Sequence, residues 1–531
     1  MGLALHRGLF IHGEWHIFAP EIFLSHSALF SILVPSSLWL RGTGAGYVAN
    51  LALVASLGYL VSLLSSILVY RVFFHRLARM GFKGPLYMST SKLWHVWKSR
   101  TSLNHLFLDG LNKQYGDFVR TGPSEITIFD PNFFNAVDGP RTECTKSEWY
   151  DILWPESSLL TTRDRGLHDA RRRDWKVGFS PQALSNHFQK MLKHLDGLCL
   201  ALDSDIAAKK PTQMRDVFYW LGFDFMGDFV FSRSFDMLGT RKWDYMVIRL
   251  QRAMSLLGPV SPAPWLIQLA FRVAPRVYQI GDWFGMAAWT HQQVAHRLDN
   301  PPKDNDGPDL VHYLLEQNEG VRTQEAILRM RGDSLNAMVA GCEPVPIALM
   351  FLFAELVQKP EYIDGIYQEV RDADINDAKI LAKLPCLNAA IKETLRLYPI
   401  IPTGGSRKTS KNGVMIGNVF IPPDTTIIGP RYTIQRREDC FVHANEFIPD
   451  RWTSRPELVR NAAAYSPWGV GHHSCIARVM ATDMLRATTA RIIKNYQFRL
   501  APGNTGRQVQ LDMTDQLTLS PGHLQLCFAP R

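Results

Sequence analysis

Two long apolar runs lie close to the amino terminus. Residues 47–70 carry no charge, and this run is longer than the roughly 20 residues that a helix needs to cross a bilayer. Basic residues follow at once, starting with Arg71 and Arg76. By the positive-inside rule, this places the chain beyond residue 70 in the cytosol. The pattern predicts a membrane anchor at 47–70.

The other apolar run, residues 23–40, is interrupted by serines and a histidine. Whether it also spans stays open on the sequence alone. If it does, the two runs form a hairpin and the amino terminus is cytosolic as well. The stiff Gly84-Pro85 step then separates an anchor region, residues 1–83, from a catalytic domain, residues 84–531.

The remaining pattern is mostly helical. A long apolar helix is predicted over 333–356, a second over 391–398 that ends before a proline, and a third after Cys475. Short alternating runs bounded by turn residues predict small β hairpins near 119–129, 417–425 and 511–528. The sequence therefore predicts a mainly α domain with small β sheets, of the α+β class.

Composition adds few restrictions to this picture. The 531 residues are 46% hydrophobic and 20% charged, which fits a globular chain. Seven cysteines are scattered without the spacings of a disulfide framework or a zinc site, as in a reducing compartment. The net charge of +9 indicates either a generic basic surface or a face for an acidic partner or membrane. The sequence has no basic stripe interleaved with aromatic residues, which is the pattern that would suggest nucleic-acid binding.

Cys475 is the strongest chemical signal in the chain. It follows a turn with two glycines and precedes a helical pattern, so the first N–H groups of a helix and its positive dipole end face the sulfur. That setting stabilises a thiolate. A lone cysteine is poor for zinc but is sufficient for haem iron, which needs one strong protein ligand on one face.

The run around Cys475 resembles the cysteine loop of the cytochrome P450 family. That signature is aromatic-x-x-Gly-x-basic-x-Cys-x-small, where x is any residue. Trp468, Gly471, His473, Cys475 and Ala477 occupy these places. Tryptophan, histidine and alanine stand where phenylalanine, arginine and glycine are usual. The resemblance implies haem b with its iron bound by Cys475.

Two motifs upstream strengthen the resemblance. Glu393 and Arg396 lie three residues apart on one helix face, as in the family's Glu-x-x-Arg element. Arg451, in the run Pro-Asp-Arg-Trp, matches the family's partner motif. By resemblance, the three side chains form a structural cluster that supports the haem loop.

The resemblance also implies which residues contact the haem. In the family, an aromatic residue or a histidine lies four positions before an arginine, and the pair binds the haem propionates. His168 and Arg172 match this spacing. Arg407 falls where the family places another propionate contact. His473 takes the place of a further arginine. Charge-assisted hydrogen bonds from such residues are what buried carboxylates require.

The helix predicted over 333–356 departs from the family in one place. Ala340 and Gly341 are the small residues that leave room for dioxygen, and Glu343 is the acid of the proton relay. Pro344 replaces the usual threonine, so we expect a local opening of the helix. We expect Glu343 to feed protons to ordered water or to a substrate hydroxyl or amine. In the family, a last hairpin brings Thr518 or a neighbour into the pocket.

The function that the resemblance implies is oxidation of a hydrophobic small molecule by a haem-thiolate monooxygenase. The chain is similar to fungal microsomal members that act in secondary-metabolite biosynthesis. Electrons would come from an NADPH–cytochrome reductase, and the catalytic domain would face the cytosol from the endoplasmic reticulum membrane.

Two alternatives stay open. One is a haem-thiolate enzyme with non-standard chemistry, such as oxidative coupling, isomerisation or dehydration, which Pro344 favours and Glu343 disfavours. The other is a non-catalytic membrane haem protein, against which the small residue Gly341 argues, since a carrier needs no room above the iron.

Overall fold

The computed structural model describes residues 1–154, 156–301, 307–316 and 323–531. Its first helices are α1 (Gly2–Leu5), α2 (Ala19–Trp39), α3 (Gly44–Val69), α4 (Arg76–Arg79), α5 (Leu86–Thr90), α6 (Leu93–Ser99), α7 (Asn104–Tyr115), α8 (Phe133–Asp138), α9 (Arg165–Val177), α10 (Pro181–Ala207), α11 (Met214–Phe231) and α12 (Met237–Thr240).

The later helices are α13 (Tyr245–Ser255), α14 (Leu257–Val260), α15 (Pro264–Val273), α16 (Tyr278–Asp299), α17 (Leu310–Glu316), α18 (Gln324–Cys342), α19 (Pro344–Leu356), α20 (Pro360–Val370), α21 (Ala378–Leu381), α22 (Pro385–Leu397), α23 (Arg431–Ile434), α24 (Arg478–Asn495) and α25 (Gln508–Leu511).

The strands are short and form small sheets. They are β1 (Phe118–Gly122), β2 (Glu125–Ile128), β3 (Thr145–Lys146), β4 (Thr212–Gln213), β5 (Arg407–Lys408), β6 (Val414–Ile416), β7 (Val419–Ile421), β8 (Thr426–Ile428), β9 (Tyr496–Leu500), β10 (Thr514–Gln516), β11 (Thr518–Ser520) and β12 (Gln525–Pro530). The prediction of a mainly α fold with small β sheets is confirmed.

Helix α11 is the centre of the helical core. Most of its residues are buried, because apolar side chains surround it on every face. It packs against α10, α16, α18 and α19, and α24 packs against α10, α19, α20 and α22. This bundle brings the helix that follows Cys475 and the helix that carries Gly341 into one core.

The sheets lie beside the bundle. The largest has the order β1-β2-β8-β5-β3, in which β2 and β8 are parallel and Ile126 pairs with Ile427. Strands β4, β12 and β9 form a second sheet, and β6–β7 and β10–β11 are hairpins. The hairpins predicted near 119–129, 417–425 and 511–528 are thus found as β1–β2, β6–β7 and β10–β11.

Side-chain caps fix where several of the site helices begin. The Asp164 carboxylate accepts the N–H of Leu167 at 2.7 Å at the start of α9, and the Thr323 hydroxyl accepts the N–H of Ala326 at 3.1 Å at the start of α18. Such caps satisfy backbone donors that have no partner within the helix. They set the register in which α9 and α18 present their side chains.

Helices α2 and α3 cover the two apolar runs near the amino terminus. Both are long and apolar enough to cross a membrane, and both are mostly exposed. They pack against each other across a short connection, residues 40–43, in which Thr43 caps α3. A third long apolar stretch, Gln324–Leu356, is mostly buried inside the protein and is a core helix pair.

Candidate functional site

The loop before Cys475 depends on two glycines with left-handed backbones. The φ angles are +66° at Gly469 and +60° at Gly471, a region that side chains disfavour. A Cβ atom on Gly471 would lie 1.7 Å from the carbonyl oxygen of Asp138. The N–H of Cys475 donates to the carbonyl of Trp468 at 2.8 Å and closes the turn. The predicted loop residues therefore place Cys475 just before α24.

The Cys475 side chain faces an internal cavity. Burial raises the pKa of its thiol, whereas a hydrogen bond from the backbone of Ala477 and the charges of Arg172 and Arg478 lower it. A metal ion adds further positive charge and deprotonates a thiol that binds it. The net shift of this pKa is upward, so the free side chain is a neutral thiol, and only a bound metal ion would convert it to a thiolate.

The cavity in front of Cys475 has a volume of about 200 Å³. Ala340 and Gly341 of α18 line it, as do Met226 and Phe229 of α11. A Cβ atom on Gly341 would lie 2.3 Å from the Cε atom of Met226. Glycine at 341 therefore allows α18 to pack closely on α11 at the cavity wall.

Cationic and imidazole side chains line another side of this cavity. The four residues predicted to bind propionates, His168, Arg172, Arg407 and His473, are all there, and Lys146 joins them. The rings of His168 and His473 meet edge to face at 4.7 Å. The Nδ1 atom of His473 is buried and has no hydrogen-bond partner among the described residues.

The pKa values around this wall reflect burial among like charges. Burial and then the charge of Arg407 lower the pKa of Lys146 to about 7. Burial and the charge of Lys146 lower the pKa of His168 to about 4. Burial and the charge of Arg407 lower the pKa of His473 to about 2. A bound anion would relieve this repulsion and raise all three pKa values.

Arg407 already has partners at the edge of the cavity. Its guanidinium donates to the Asp138 carboxylate at 2.6 Å and to the Tyr150 hydroxyl at 2.8 Å. Arg172 is less engaged, since its Nη2 atom donates to the Ser474 hydroxyl at 3.3 Å. Arg407 is therefore a fixed cation, and Arg172 is the arginine with more freedom to meet a ligand.

The cluster predicted from Glu393, Arg396 and Arg451 is present, and its side chains are fully buried. The Glu393 carboxylate accepts from Arg396 at 2.8 Å, from Arg451 at 2.8 Å and from the Trp452 indole at 2.9 Å. Burial opposes ionisation of Glu393, but the hydrogen bond and charge of Arg396 and the charge of Arg451 lower its pKa overall. The carboxylate thus stays ionised inside the protein.

Gln435 connects this cluster to the cysteine loop. Its amide nitrogen donates to the carbonyls of Leu395 and Arg396 at 3.1 and 2.8 Å. Its amide oxygen accepts the N–H of Ser466, where the cysteine loop begins, at 3.1 Å. Arg396 also donates to the carbonyl of Gln435 at 2.8 Å. The cluster therefore fixes the start of the loop through one amide side chain.

The core helix is interrupted at Glu343, between α18 and α19. The Glu343 carboxylate is buried and accepts a hydrogen bond from the Thr518 hydroxyl of β11 at 3.1 Å. Burial raises the pKa of Glu343 to about 7, although Thr518 and the charge of Arg215 act in the opposite direction. The acid predicted from the sequence thus meets a hydroxyl, but from the last hairpin and not from its own helix.

A second cavity adjoins the first, and its lining is almost entirely apolar. It shares Leu160 and Asn336 with the cavity of Cys475. Its apolar walls come from Trp149, Ile152, Leu153, Met254, Leu257, Ile267, Phe271, Trp283, Val339 and Leu517. A hydrophobic small molecule fits such walls.

Comparison with known proteins agrees with this geometry. The sequence model described as "Cytochrome P450" matches residues 91–528. The chain belongs to the cytochrome P450 family. Cytochrome P450 monooxygenase FCK2 of Fusarium pseudograminearum is 32% identical over 545 aligned residues, covering 100% of this chain and 96% of that protein.

Another relative of this P450 is tryprostatin B 6-hydroxylase of Aspergillus fumigatus, which is 30% identical and covers 95% of this chain and 91% of that protein. The crystal structure of the cytochrome P450DA heme domain superimposes with a TM-score of 0.67 at 18% identity, covering 81% of this chain and 94% of that one. The chain is a haem-dependent monooxygenase similar to those of fungal secondary metabolism. Its family implies a cysteine-ligated haem, a redox partner and a hydrophobic substrate.

The residues around the cavity of Cys475 fit a haem group. A thiol lies in one wall, small residues of α18 lie in another, and a third carries Lys146, Arg172 and the unpartnered Nδ1 atom of His473. An iron porphyrin needs one strong ligand for the metal and hydrogen-bond donors for two carboxylates. This donor set supplies both.

Sequence reasoning missed several residues of the site. Lys146 donates to the carbonyls of Leu159, Leu160 and Thr162 at 3.1, 2.7 and 3.0 Å, and no local pattern announces it. Asp138, Tyr150 and Gln435 were missed for the same reason, because their partners are distant in the chain. Thr518 was expected from the last hairpin, but its hydrogen bond to Glu343 was not.

Proposed function

We propose that the Cys475 thiolate would hold the haem iron in this P450. The observation that carries the proposal is that the Cys475 thiol, the small residues Ala340 and Gly341, and the basic wall share one cavity. The bound haem supplies dioxygen activation and transfer of one oxygen atom to the substrate. The N-terminal end of α24 and the charges of Arg172 and Arg478 offset part of the burial that raises the pKa of the Cys475 thiol, and a bound metal ion would complete its deprotonation.

The basic wall holds the haem propionates in this proposal. Arg172 and His473 would donate hydrogen bonds to them, and the bound anion would raise the pKa values of Lys146 and His168 and so favour their charged forms. Arg407, held by Asp138, contributes a fixed charge at the edge. Trp468 and Gly471 shape the cysteine loop.

Glu343 and Thr518 supply protons in this proposal. A carboxyl group with a pKa of about 7 can gain and lose a proton at neutral pH, which suits a general acid. The Thr518 hydroxyl donates to the Oε2 atom of Glu343 and orients it. The hydroxyl that the family takes from its core helix thus comes here from β11, so Pro344 by itself is no reason to expect chemistry without delivered protons.

We further propose that this P450 is anchored in the endoplasmic reticulum membrane, with the catalytic domain facing the cytosol. Two exposed apolar helices, α2 and α3, support the anchor, and the basic residues after α3 support the orientation. An NADPH–cytochrome reductase of the same membrane would supply the electrons. On this reading, residues 1–83 are the anchor region and 84–531 the catalytic domain.

Reconstitution tests the proposed function directly. The full chain is combined in lipid vesicles with an NADPH–cytochrome reductase and an extract of apolar metabolites, and products are followed by mass spectrometry. We expect a product that gains one oxygen atom only when NADPH, dioxygen and reductase are all present. A product formed without NADPH would contradict a monooxygenase and favour isomerisation or dehydration.

A further inference from the structure

Most buried carboxylates of this protein have a cation beside them. Among the described residues, three buried carboxylates form no ion pair with an arginine or a lysine: Asp224, Glu343 and Asp515. Asp224 accepts the N–H groups of Met237 and Leu238 at the start of α12, both at 2.9 Å. Glu343 has the proton-transfer role proposed above. Asp515 is therefore the buried carboxylate that still needs an explanation.

Asp515 lies on β10, and two hydrogen bonds fix its side chain. The Thr403 hydroxyl donates to its Oδ2 atom at 2.6 Å, and the N–H of Leu517 donates to its Oδ1 atom at 3.2 Å. Burial raises the pKa of this carboxyl group to about 6, although both hydrogen bonds act in the opposite direction. The two bonds orient the carboxylate but leave its charge without a cation, which is destabilising inside a protein.

Asp515 lines a small cavity between α6, α14 and β8, which we call the Asp515 cavity. Its volume of about 60 Å³ is room for about four water molecules or for one small polar group, but not for a ring system. Trp149, Leu257 and Leu517 line both this cavity and the apolar cavity beside the haem site. The two cavities are therefore neighbours, separated only by side chains that they share.

The charged groups that line the Asp515 cavity do not balance. Lys92 is paired with the Glu125 carboxylate, so these two charges cancel. His95 is neutral near pH 7, because burial and then the charge of Lys92 hold its pKa well below the usual value. Glu148 adds a half-buried carboxylate that has no ion pair among the described residues. With Glu148 and Asp515 ionised, the lining is negative and lacks a cation.

We propose that the Asp515 cavity binds a protonated amine of the substrate, while the apolar part of the same molecule lies in the neighbouring apolar cavity. The inference rests on the proposed function and names its substrate class, an apolar molecule with a basic amine. The ammonium group supplies the charge that Asp515 lacks, and it donates a charge-assisted hydrogen bond that is stronger than one between neutral groups. A hydrocarbon of the same shape leaves the buried carboxylate without a cation.

The test uses two probes of the same shape, 4-phenylbutylamine and pentylbenzene, which differ only in the terminal ammonium or methyl group. Equilibrium dialysis measures their binding to the haem-loaded full chain in detergent, after subtraction of binding to empty micelles. We expect Asp515→Asn to weaken binding of the amine about tenfold and to leave binding of pentylbenzene unchanged. Asparagine keeps an oxygen that can accept the N–H of Leu517, so this variant removes the charge and retains the turn.

Two further variants support the comparison. Glu148→Gln removes the other carboxylate of the lining that lacks a cation, and it should weaken binding of the amine in the same direction. Asp512→Asn changes an exposed carboxylate three residues before Asp515, and it should alter the affinity of neither probe.

Equal weakening of both probes in Asp515→Asn would mean that Asp515 only supports the fold, and it would overturn the proposal. The haem spectrum provides an independent readout, because an amine bound at Asp515 leaves the iron without a nitrogen ligand. A spectrum of nitrogen-ligated iron would place the amine at the metal and contradict the site. A chain that binds no haem would refute the proposed function and this inference with it, whereas equal amine affinities of haem-loaded wild type and Asp515→Asn would refute the inference alone.

Discussion

At the scale of single residues, the surroundings of Glu343 show how the loss of the family's usual threonine at position 344 is offset elsewhere in the fold. Pro344 removes both a hydroxyl and a backbone N–H from the core helix, which is interrupted at this point. Thr518, 175 positions further along the chain, donates to the same carboxylate. On the proposed function, the chemistry expected from two neighbouring residues is divided between a helix and a hairpin.

Thr518 can be tested by removing its hydroxyl while keeping its shape. We expect Thr518→Val to lower product formed per NADPH consumed by about a hundredfold, which is the low end of what general acid catalysis contributes. Thr518→Ser should restore most of the yield. Thr514→Val, on the neighbouring strand β10 of the same hairpin, is the matched control. Equal yields in Thr518→Val and wild type would exclude this hydroxyl from proton delivery.

The pKa of Glu343 predicts a pH dependence. Because burial raises this pKa to about 7, the folded protein keeps the carboxyl group protonated at mildly acidic pH, where a free glutamate is ionised. Proton delivery should therefore decline as pH rises through about 7, and Glu343→Gln should abolish this dependence. Product yield across pH, together with the infrared band of the protonated carboxyl, provides the measurement. A wild-type profile that stays flat through neutrality would contradict the assigned role.

At the scale of elements, α22 supports the cysteine loop through its buried charges. Glu393 holds Arg396 of its own helix and Arg451 of a distant turn, and Gln435 extends this support to Ser466. We therefore expect the cluster to determine haem retention more than product choice.

Arg451→Ala would leave the Glu393 carboxylate short of one cation inside the protein. Breaking such a buried pair costs about 3–5 kcal/mol, and we expect loss of bound haem and a lower unfolding midpoint. Arg455→Ala removes an exposed arginine four residues away and should do neither. Haem content and denaturant unfolding of the two variants decide the point, and normal haem content in Arg451→Ala would refute the structural role.

The residues that the sequence predicted are set by local spacing in the chain, whereas those that it missed are set by tertiary packing. Glu393 and Arg396 are one helix turn apart, and Cys475 follows its turn directly, so local spacing carries the signal. Lys146 and Asp138 acquire their roles only when β3 and α8 pack beside the cysteine loop. Tertiary packing of this kind leaves no local pattern, and the same holds for the contact between Thr518 and Glu343.

At the scale of the whole molecule, the anchor and the catalytic domain meet through specific polar contacts. Sequence left open whether one or two apolar runs span the membrane, because hydropathy alone does not show what the first residues contact. The structure has both runs as packed helices, with Glu14 bound to Arg163 of the catalytic domain. The orientation of the domain relative to the anchor is thus set by side chains as well as by a linker.

Ligation of haem iron by Cys475 is the central claim, and the reduced carbon monoxide spectrum tests it most directly. The wild-type chain and the control Cys386→Ser, whose cysteine is exposed on α22, should show the red-shifted band of thiolate ligation. Cys475→His should retain the fold but lose that band and all turnover. A wild-type spectrum like that of a histidine-ligated globin, or a red-shifted band that persists in Cys475→His, would contradict the assignment.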